Sequence, residues 1–459
     1  MNVILNLMPR LAFKKFHLSS GQFYLDLIIS VAVLSILGLT LFRLSALSYE
    51  LISYNRSRIA ARHLAQEKTE FIRNLPYDDI GTVGGIPSGT LIQLENTEIN
   101  GLNYVIRTSI IYIDDPFDGQ APDDLLPTDY KRMRIDVSWG GLAASNINPI
   151  TIITDISPKG IETSAGGGTL SILVFDANAD PVPQADVHIV ASSVTPSIDL
   201  NLKTADNGRV VLPGTPICVE CYEITVTKPN YSLDKTYSQA EVANPNKPQA
   251  SLLVGQLTEI SFRIDMVSTL NLTTRDNKAS GYIPLGGVEF RLRNDKTIGT
   301  DTSDEPVYKF DEEFTSNPSG TVTISDVEWG NYVILLPTGT PYDVASTNPL
   351  TPLIILPNST VDFNLALTGE TSNNLWAVFT DGTSSAPVAS VSARLSQSGV
   401  YEPDGLTGLE ADVDWGQVFW AGLSPGTWTL EATASGYQDF SGDIIVSGKT
   451  KEVILLNPQ

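Results

Sequence analysis

The chain has 459 residues, with 52 acidic side chains against 29 basic ones, three histidines, two cysteines and a net charge of −23. Its length allows three or four domains at ~100–200 residues each, and 42% apolar residues can fill packed cores, which excludes a wholly disordered chain. Two cysteines exclude a disulfide-dense scaffold and a four-thiolate zinc site within one chain, and so acidic a body argues against duplex-groove binding.

The charge is unevenly spread. Residues 1–75 carry nine Lys or Arg and four Asp or Glu, while the remainder carries 20 against 48. A basic head on an acidic body points to one membrane-proximal end and one exported, soluble end. Arg10, Lys14 and Lys15 precede Gly21, and Leu27 to Phe42 is a run of sixteen residues without a charge. Phe23 to Phe42 is long enough to cross a hydrocarbon core of ~30 Å at ~1.5 Å per residue. An ordinary secretory signal would be cut beyond its apolar run. Here no small-x-small site directly follows Phe42, and no Gly or Pro falls between Leu39 and Pro76. Ala46, Ala60, Ala61 and Ala65 are strong helix formers. The pattern predicts one helix over 22–75, its first part in lipid and the rest in water.

A basic leader ending in Gly, then an apolar segment with an acid at its fifth position, resembles the type III signal of type IV prepilins and pseudopilins. The continuation ARHLAQEKTEFIRNLPYDDIG is similar to the stalk-to-head passage of minor pilins. The resemblance implies a leader over 1–21, cut by a prepilin peptidase between Gly21 and Gln22, and a methylated new N-terminus. It also implies that Asp26 pairs with the N-terminal amine of a neighbouring pilin subunit. An acid at the edge of a bilayer-length stretch is costly without such a partner. Two positions depart from the pattern: Gln22 stands where Phe or Met is usual, and Asp26 is one methylene shorter than the usual Glu. An uncleaved signal anchor stays open beside cleavage, and both keep one helix in the membrane.

Pro76 stops the helix. Apolar-polar alternation over 103–113, 132–139 and 150–156 predicts three or four antiparallel strands packed on the stalk. Residues 76–160 thus read as an α+β pilin-like head. Between two of its strands lie Asp114, Asp115, Asp118, Asp123 and Asp124, around Gly119. Clustered carboxylates suit Ca²⁺, which takes about six to eight oxygens, although Pro116 and Leu125 break the EF-hand spacing. The competing reading is a solvated acidic turn.

A Gly-rich linker over 161–168 leads to three repeats, 169–265, 266–369 and 372–459. Each opens with a strand, a turn and a second strand; a Gly turn and two paired strands follow, over 206–226, 318–336 and 414–432. Each closes on an alternating strand, at 257–264, 359–367 and 450–456. Many short strands with Gly, Pro, Asn and Asp turns predict three all-β sandwiches. The recurring pattern resembles the carboxypeptidase regulatory-like, or transthyretin-like, Ig-like sandwich. Tyr222, Tyr332 and Trp428 occupy its aromatic place as core anchors rather than a sugar platform.

Strand signals flank Cys218 and Cys221, so the pair reads as a local disulfide, with a redox or metal role as the rival. His63 and His188 read as structural, and Ser447-Gly448-Lys449-Thr450 only mimics the end of a phosphate-binding loop, with Gly442 one residue too far upstream. The chain therefore reads as non-enzymatic, without a cofactor unless calcium binds, and without a nucleic-acid partner. The expectation is a minor pilin or pseudopilin-like subunit of a type IV filament or type II-like secretion machine. It would be a single-pass membrane protein before assembly and lie at the pilus or cell surface afterwards. The alternative is a permanently tethered surface protein whose carbohydrate-binding-like sandwiches contact surface glycans.

Overall fold

The computed structural model describes residues 20–117, 128–140, 149–158 and 167–459. These fall into two compact units. The first holds residues up to Leu75 with Ile92–Thr108 and Arg134–Thr154; the second holds Pro76–Leu91, Ser109–Met133 and Asp155–Gln459.

In the first unit one helix, α1 (Ser20–Arg73), runs for 54 residues. Every residue from Leu27 to Arg56 is exposed. Three hydroxyls in this stretch bond inside the helix: Ser35 donates to the Val31 carbonyl at 2.7 Å, Thr40 to Leu37 at 2.8 Å and Ser48 to Leu44 at 2.9 Å. Bonded this way, these three hydroxyls need no partner from a lipid environment. Farther on, Ala61, Ala65, Thr69 and Ile72 are buried. Spacings of four, four and three put them on one face.

Four strands form one sheet in the order β1 (Leu94–Ile99), β2 (Leu102–Ile113), β3 (Tyr130–Trp139) and β4 (Ile150–Ile156). β2 and β3 alternate buried and half-exposed residues, as a sheet with one covered face requires. Within the first unit, Tyr54 of α1 meets Trp139 with ring centroids 6.0 Å apart, and Lys68 pairs with Glu95.

The second unit begins where Pro76 breaks the helix. Lys131 of β3 is buried there, and its Nζ donates to the carbonyls of Tyr77 at 2.7 Å and Ile80 at 2.8 Å. Ile86, from the same segment, joins the buried cluster of the first repeat, and the Gly84 carbonyl accepts the Asp199 N–H at 2.8 Å.

Three repeats share one strand plan. The opening strands are Gly168–Phe175, Ser268–Arg275 and Asn374–Asp381. Each is flanked on one side by an antiparallel crossing strand, Arg209–Thr215, Thr321–Val327 or Gln417–Ala421. On its other side runs the closing strand, Leu257–Arg263, Thr360–Gly369 or Lys449–Leu456, and this pairing is parallel. A second sheet pairs the strand after the turn with the return strand: Asp186–Ala191 with Cys218–Thr227, Glu289–Asn294 with Gly330–Leu335, Ser392–Gln397 with Gly426–Thr433. Three buried clusters lie in the three repeats, including Phe262 in the first, Phe290 and Phe363 in the second and Phe379 in the third.

Two expectations change here. The strands read as neighbours in 206–226, 318–336 and 414–432 do not pair with each other, because each crossing strand joins the opening sheet and each return strand the other one. Gly168, expected as the last linker residue, is the first residue of the opening strand, and a Cβ on it would lie 2.4 Å from the Leu253 carbonyl oxygen.

Local rules repeat with the strands. Gly208, Gly320 and Gly416 precede the crossing strands with φ of 71°, 73° and 67°. At Gly208 a Cβ would also lie 2.5 Å from the Val174 carbonyl oxygen, so both backbone angle and close approach demand glycine. A buried hydroxyl staples the start of each second strand. Thr204 accepts the Ala185 N–H and donates to the Val182 carbonyl; Ser316 does the same for Val288 and Leu285, and Thr407 for Val391 and Val388.

Candidate functional site

Gly21, Gln22 and Asp26 all lie in the first turns of α1. Positions 22 and 26 are about one helical turn apart, so they share a face of the helix. Beyond them the helix is exposed and apolar, and from Leu27 on it is long and apolar enough to cross a membrane. The chemistry available to this end is burial of its apolar surface in lipid or among like helices, together with whatever partner satisfies the acid at its edge.

Asp118, Asp123 and Asp124 lie outside the described residues. Asp115 caps its own turn, its Oδ1 accepting the Phe117 N–H at 2.9 Å, while its own N–H bonds Asp129 Oδ2 at 2.6 Å. Asp114 is half-buried on the same segment. Among the described residues no three His, Cys, Asp or Glu side chains are placed to hold a metal ion.

Cys218 and Cys221 are joined as a disulfide at the start of the first return strand. The three aromatics are core residues. Tyr222 and Tyr332 are fully buried and Trp428 nearly so. Each directs its polar tip to a carbonyl just upstream: Tyr222 to Pro216, Tyr332 to Glu328 at 2.8 Å and Trp428 to Ser424 at 2.9 Å. Burial pushes the Tyr222 and Tyr332 phenols far above their ordinary pKa. His188 bonds Asp199 Oδ1 at 2.8 Å on an exposed sheet face.

Motifs that mimic catalysis resolve into structure. Lys449, the lysine of the phosphate-loop look-alike, opens a closing strand and pairs with Asp343 at 2.7 Å and Glu370 at 3.1 Å. Gly422-Leu423-Ser424-Pro425-Gly426 spells a Gly-x-Ser-x-Gly string, which sequence reasoning missed. It joins two strands instead of a strand and a helix, so it lacks the turn that presents a nucleophilic serine.

One concave surface, of 460 Å³, lies within the first repeat beside Cys218; three others lie where repeats meet, a feature with no counterpart in any motif of the sequence. Between the second and third repeats, a cleft of 630 Å³ is lined by Lys278, Tyr282, Asp404, Asp414, Gln417 and Trp420 among others. Lys278 Nζ is already engaged there, by Asp414 Oδ2 at 2.5 Å and the Leu406 carbonyl at 2.7 Å. A second groove of 510 Å³ at the same junction contains Tyr342, Trp376, Lys449 and Lys451. Lys451 lies over the Trp376 ring at 4.1 Å, and burial lowers its pKa. Between the first and second repeats there is a smaller cleft of 340 Å³.

Hydrogen bonds tie these junctions together. Asn244–Pro245, from the first repeat, adds as a short strand to Thr297–Thr300 of the second. Asp343 is buried between the second and third, its Oδ2 accepting from the Thr371 N–H at 2.8 Å and from Asn374 Nδ2 at 2.9 Å.

No protein-family model matches the sequence, and no curated protein matches it. By structure, the Bacillus anthracis TIE protein aligns at a TM-score of 0.19 and 14% identity, over 80% of this chain and 73% of that one. The Streptococcal ancillary pilin aligns at 0.17 and 13%, over 64% of this chain and 99% of that one. Shaft pilin SpaA from Lactobacillus rhamnosus GG aligns at 0.17 and 15%, over 42% and 98%. TM-scores and identities this low carry no function to this chain.

Proposed function

We propose that the chain is a minor pilin or pseudopilin-like subunit of a type IV filament or type II-like secretion machine. It is anchored in the membrane by α1 before assembly, and its β repeats project outward as a spacer or adhesive arm. One observation carries the reading: a single uninterrupted helix is apolar and bare over its first half and buried along one stripe over its second. A helix built only to anchor has no need of that continuity, whereas a subunit that leaves the membrane to bundle with others needs both halves rigidly joined. Asp26, at the edge of the apolar run, supplies the group that would pair with a neighbour's new N-terminus at Gln22. The repeats' bulk suits a tip or low-abundance position, because each shaft position would otherwise have to accommodate it.

The deciding experiment is the intact mass and N-terminal sequence of the protein isolated from membranes of cells that contain a prepilin peptidase. A start at Gln22 is expected. A retained leader overturns the pilin reading and leaves a permanently tethered β-repeat surface protein.

A further inference from the structure

Of the 20 Lys and Arg residues beyond position 75, four converge on one place. Lys247, Arg263, Lys296 and Lys309 line the 340 Å³ cleft between the first and second repeats, with Asp234 and Glu328 beside them. In a body that carries 48 acids over the same span, this local excess of cations runs against the general charge.

The two carboxylates are fully engaged. Glu328 holds Lys296 through Oε1 and Lys309 through Oε2, each at 2.7 Å. Asp234 Oδ2 holds Lys247 and also accepts the Arg263 backbone N–H at 2.9 Å, while Oδ1 accepts the Lys235 N–H at 2.9 Å. Among the described residues the Arg263 guanidinium has no carboxylate partner; it lies over the Phe175 ring, 5.4 Å from its centroid. Lys296 and Lys247 are likewise held over the rings of Trp329 and Phe262, at 3.4 Å and 4.4 Å.

Four positive groups with two carboxylates repel one another. Burial is the main cause that lowers the pKa of Lys247 and Lys296; Asp234 and Glu328 raise it, and Lys309 and Arg263 lower it further. An anion seated among them would relieve that repulsion, and an arginine fork is suited to a planar or tetrahedral oxyanion. The cleft is at the small end of ligand pockets, which run from ~300 to ~1,000 Å³. Tyr237 and Phe175 add aromatic surface to its lining that a sugar ring can use.

We propose that this junction is a binding site for a single oxyanion group, a carboxylate or sulfate, either free or borne on an acidic saccharide. The site belongs to the paired repeats, since Lys247 and Arg263 come from the first and Lys296 and Lys309 from the second.

The test is calorimetric titration of the full chain in detergent, at constant ionic strength in chloride, with sodium sulfate, sodium acetate, glucuronate and glucose. Binding of at least one of the three anions and none of glucose is expected, weakened at least tenfold in Arg263→Gln. Arg394→Gln, which removes an exposed arginine paired to Asp404 in the third repeat, serves as the control and should bind as the parent does. Glucuronate tighter than acetate and sulfate identifies a saccharide-borne group; equal affinities identify a free oxyanion. No binding by any anion, or equal binding by parent and Arg263→Gln, overturns the proposal.

Discussion

Gln417 and Thr347 bond in both directions across the junction of the second and third repeats. The Gln417 amide donates to the Thr347 carbonyl at 2.7 Å, and its oxygen accepts the Thr347 N–H at 3.0 Å. Both residues are buried. A single side chain here takes the place of a strand partner, and its oxygen also accepts from Trp376 Nε1 at 3.1 Å.

Gln417→Ala should therefore cost on the order of 2–4 kcal/mol, since it strands a buried N–H and a buried carbonyl at ~1–3 kcal/mol each. The measurement is hydrogen exchange. The Thr347 amide should exchange at least tenfold faster, while Leu272, in the core of the second repeat, stays protected. Unchanged protection at Thr347 would show that the junction does not depend on this amide.

The buried hydroxyl staples predict a matched series. Thr407→Val keeps the side-chain shape but removes the acceptor for the Val391 N–H and the donor to the Val388 carbonyl, both at 2.9 Å. A loss of about 1–3 kcal/mol is expected. Thr204→Val in the first repeat should behave alike, and Thr407→Ser should recover most of the loss. A neutral Thr407→Val in thermal denaturation would mean the staple contributes nothing net.

How much of this fold is legible in the sequence depends on whether the signal is local. α1 is legible because an apolar run, alanines and a terminating Pro76 are consecutive in the chain. β2 and β3 are legible because alternation in period two appears within one strand. The parallel pairing of Leu257–Arg263 with Gly168–Phe175 is not, because nothing in either segment names its partner. Gln417 looks like any polar strand residue, and Lys449 like a phosphate ligand, until the neighbouring repeat is in place. The cleft's cations sit at four separated positions, 247, 263, 296 and 309, so only folding assembles them.

Asp26 offers a test of assembly separate from cleavage. Asp26→Ala removes the acid at the head of the apolar run and leaves Leu27–Phe42 untouched. Membrane recovery should be unchanged, because the apolar run sets insertion. Recovery in sheared filaments should fall to background, because the partner for a neighbour's amine is gone. Equal recovery of Asp26→Ala and parent in the filament fraction would remove Asp26 from the assembly mechanism.

Lys131 predicts a pH dependence of defined sign. Burial pushes its ammonium down to about 8, against the pull of Asp78 and Asp79, whereas an unfolded lysine titrates at ~10.4. Between those values the unfolded chain holds a proton that the folded one has released, so this group's contribution to stability rises with pH. Below about 8 both states are protonated and the contribution is flat, with its penalty present in full. Tyr77 works the other way at higher pH. Burial lifts its phenol to about 12, so the folded state keeps that proton longer and stability falls above ~10. The clean window is therefore pH 7 to about 9.5. Lys131→Met should be less stable throughout, having left the Tyr77 and Ile80 carbonyls without their donor. The gap between parent and variant should widen as pH rises across that window, followed by thermal denaturation. A gap that stays constant from pH 7 to about 9.5 would mean that Lys131 titrates in the folded protein as it does in the unfolded chain.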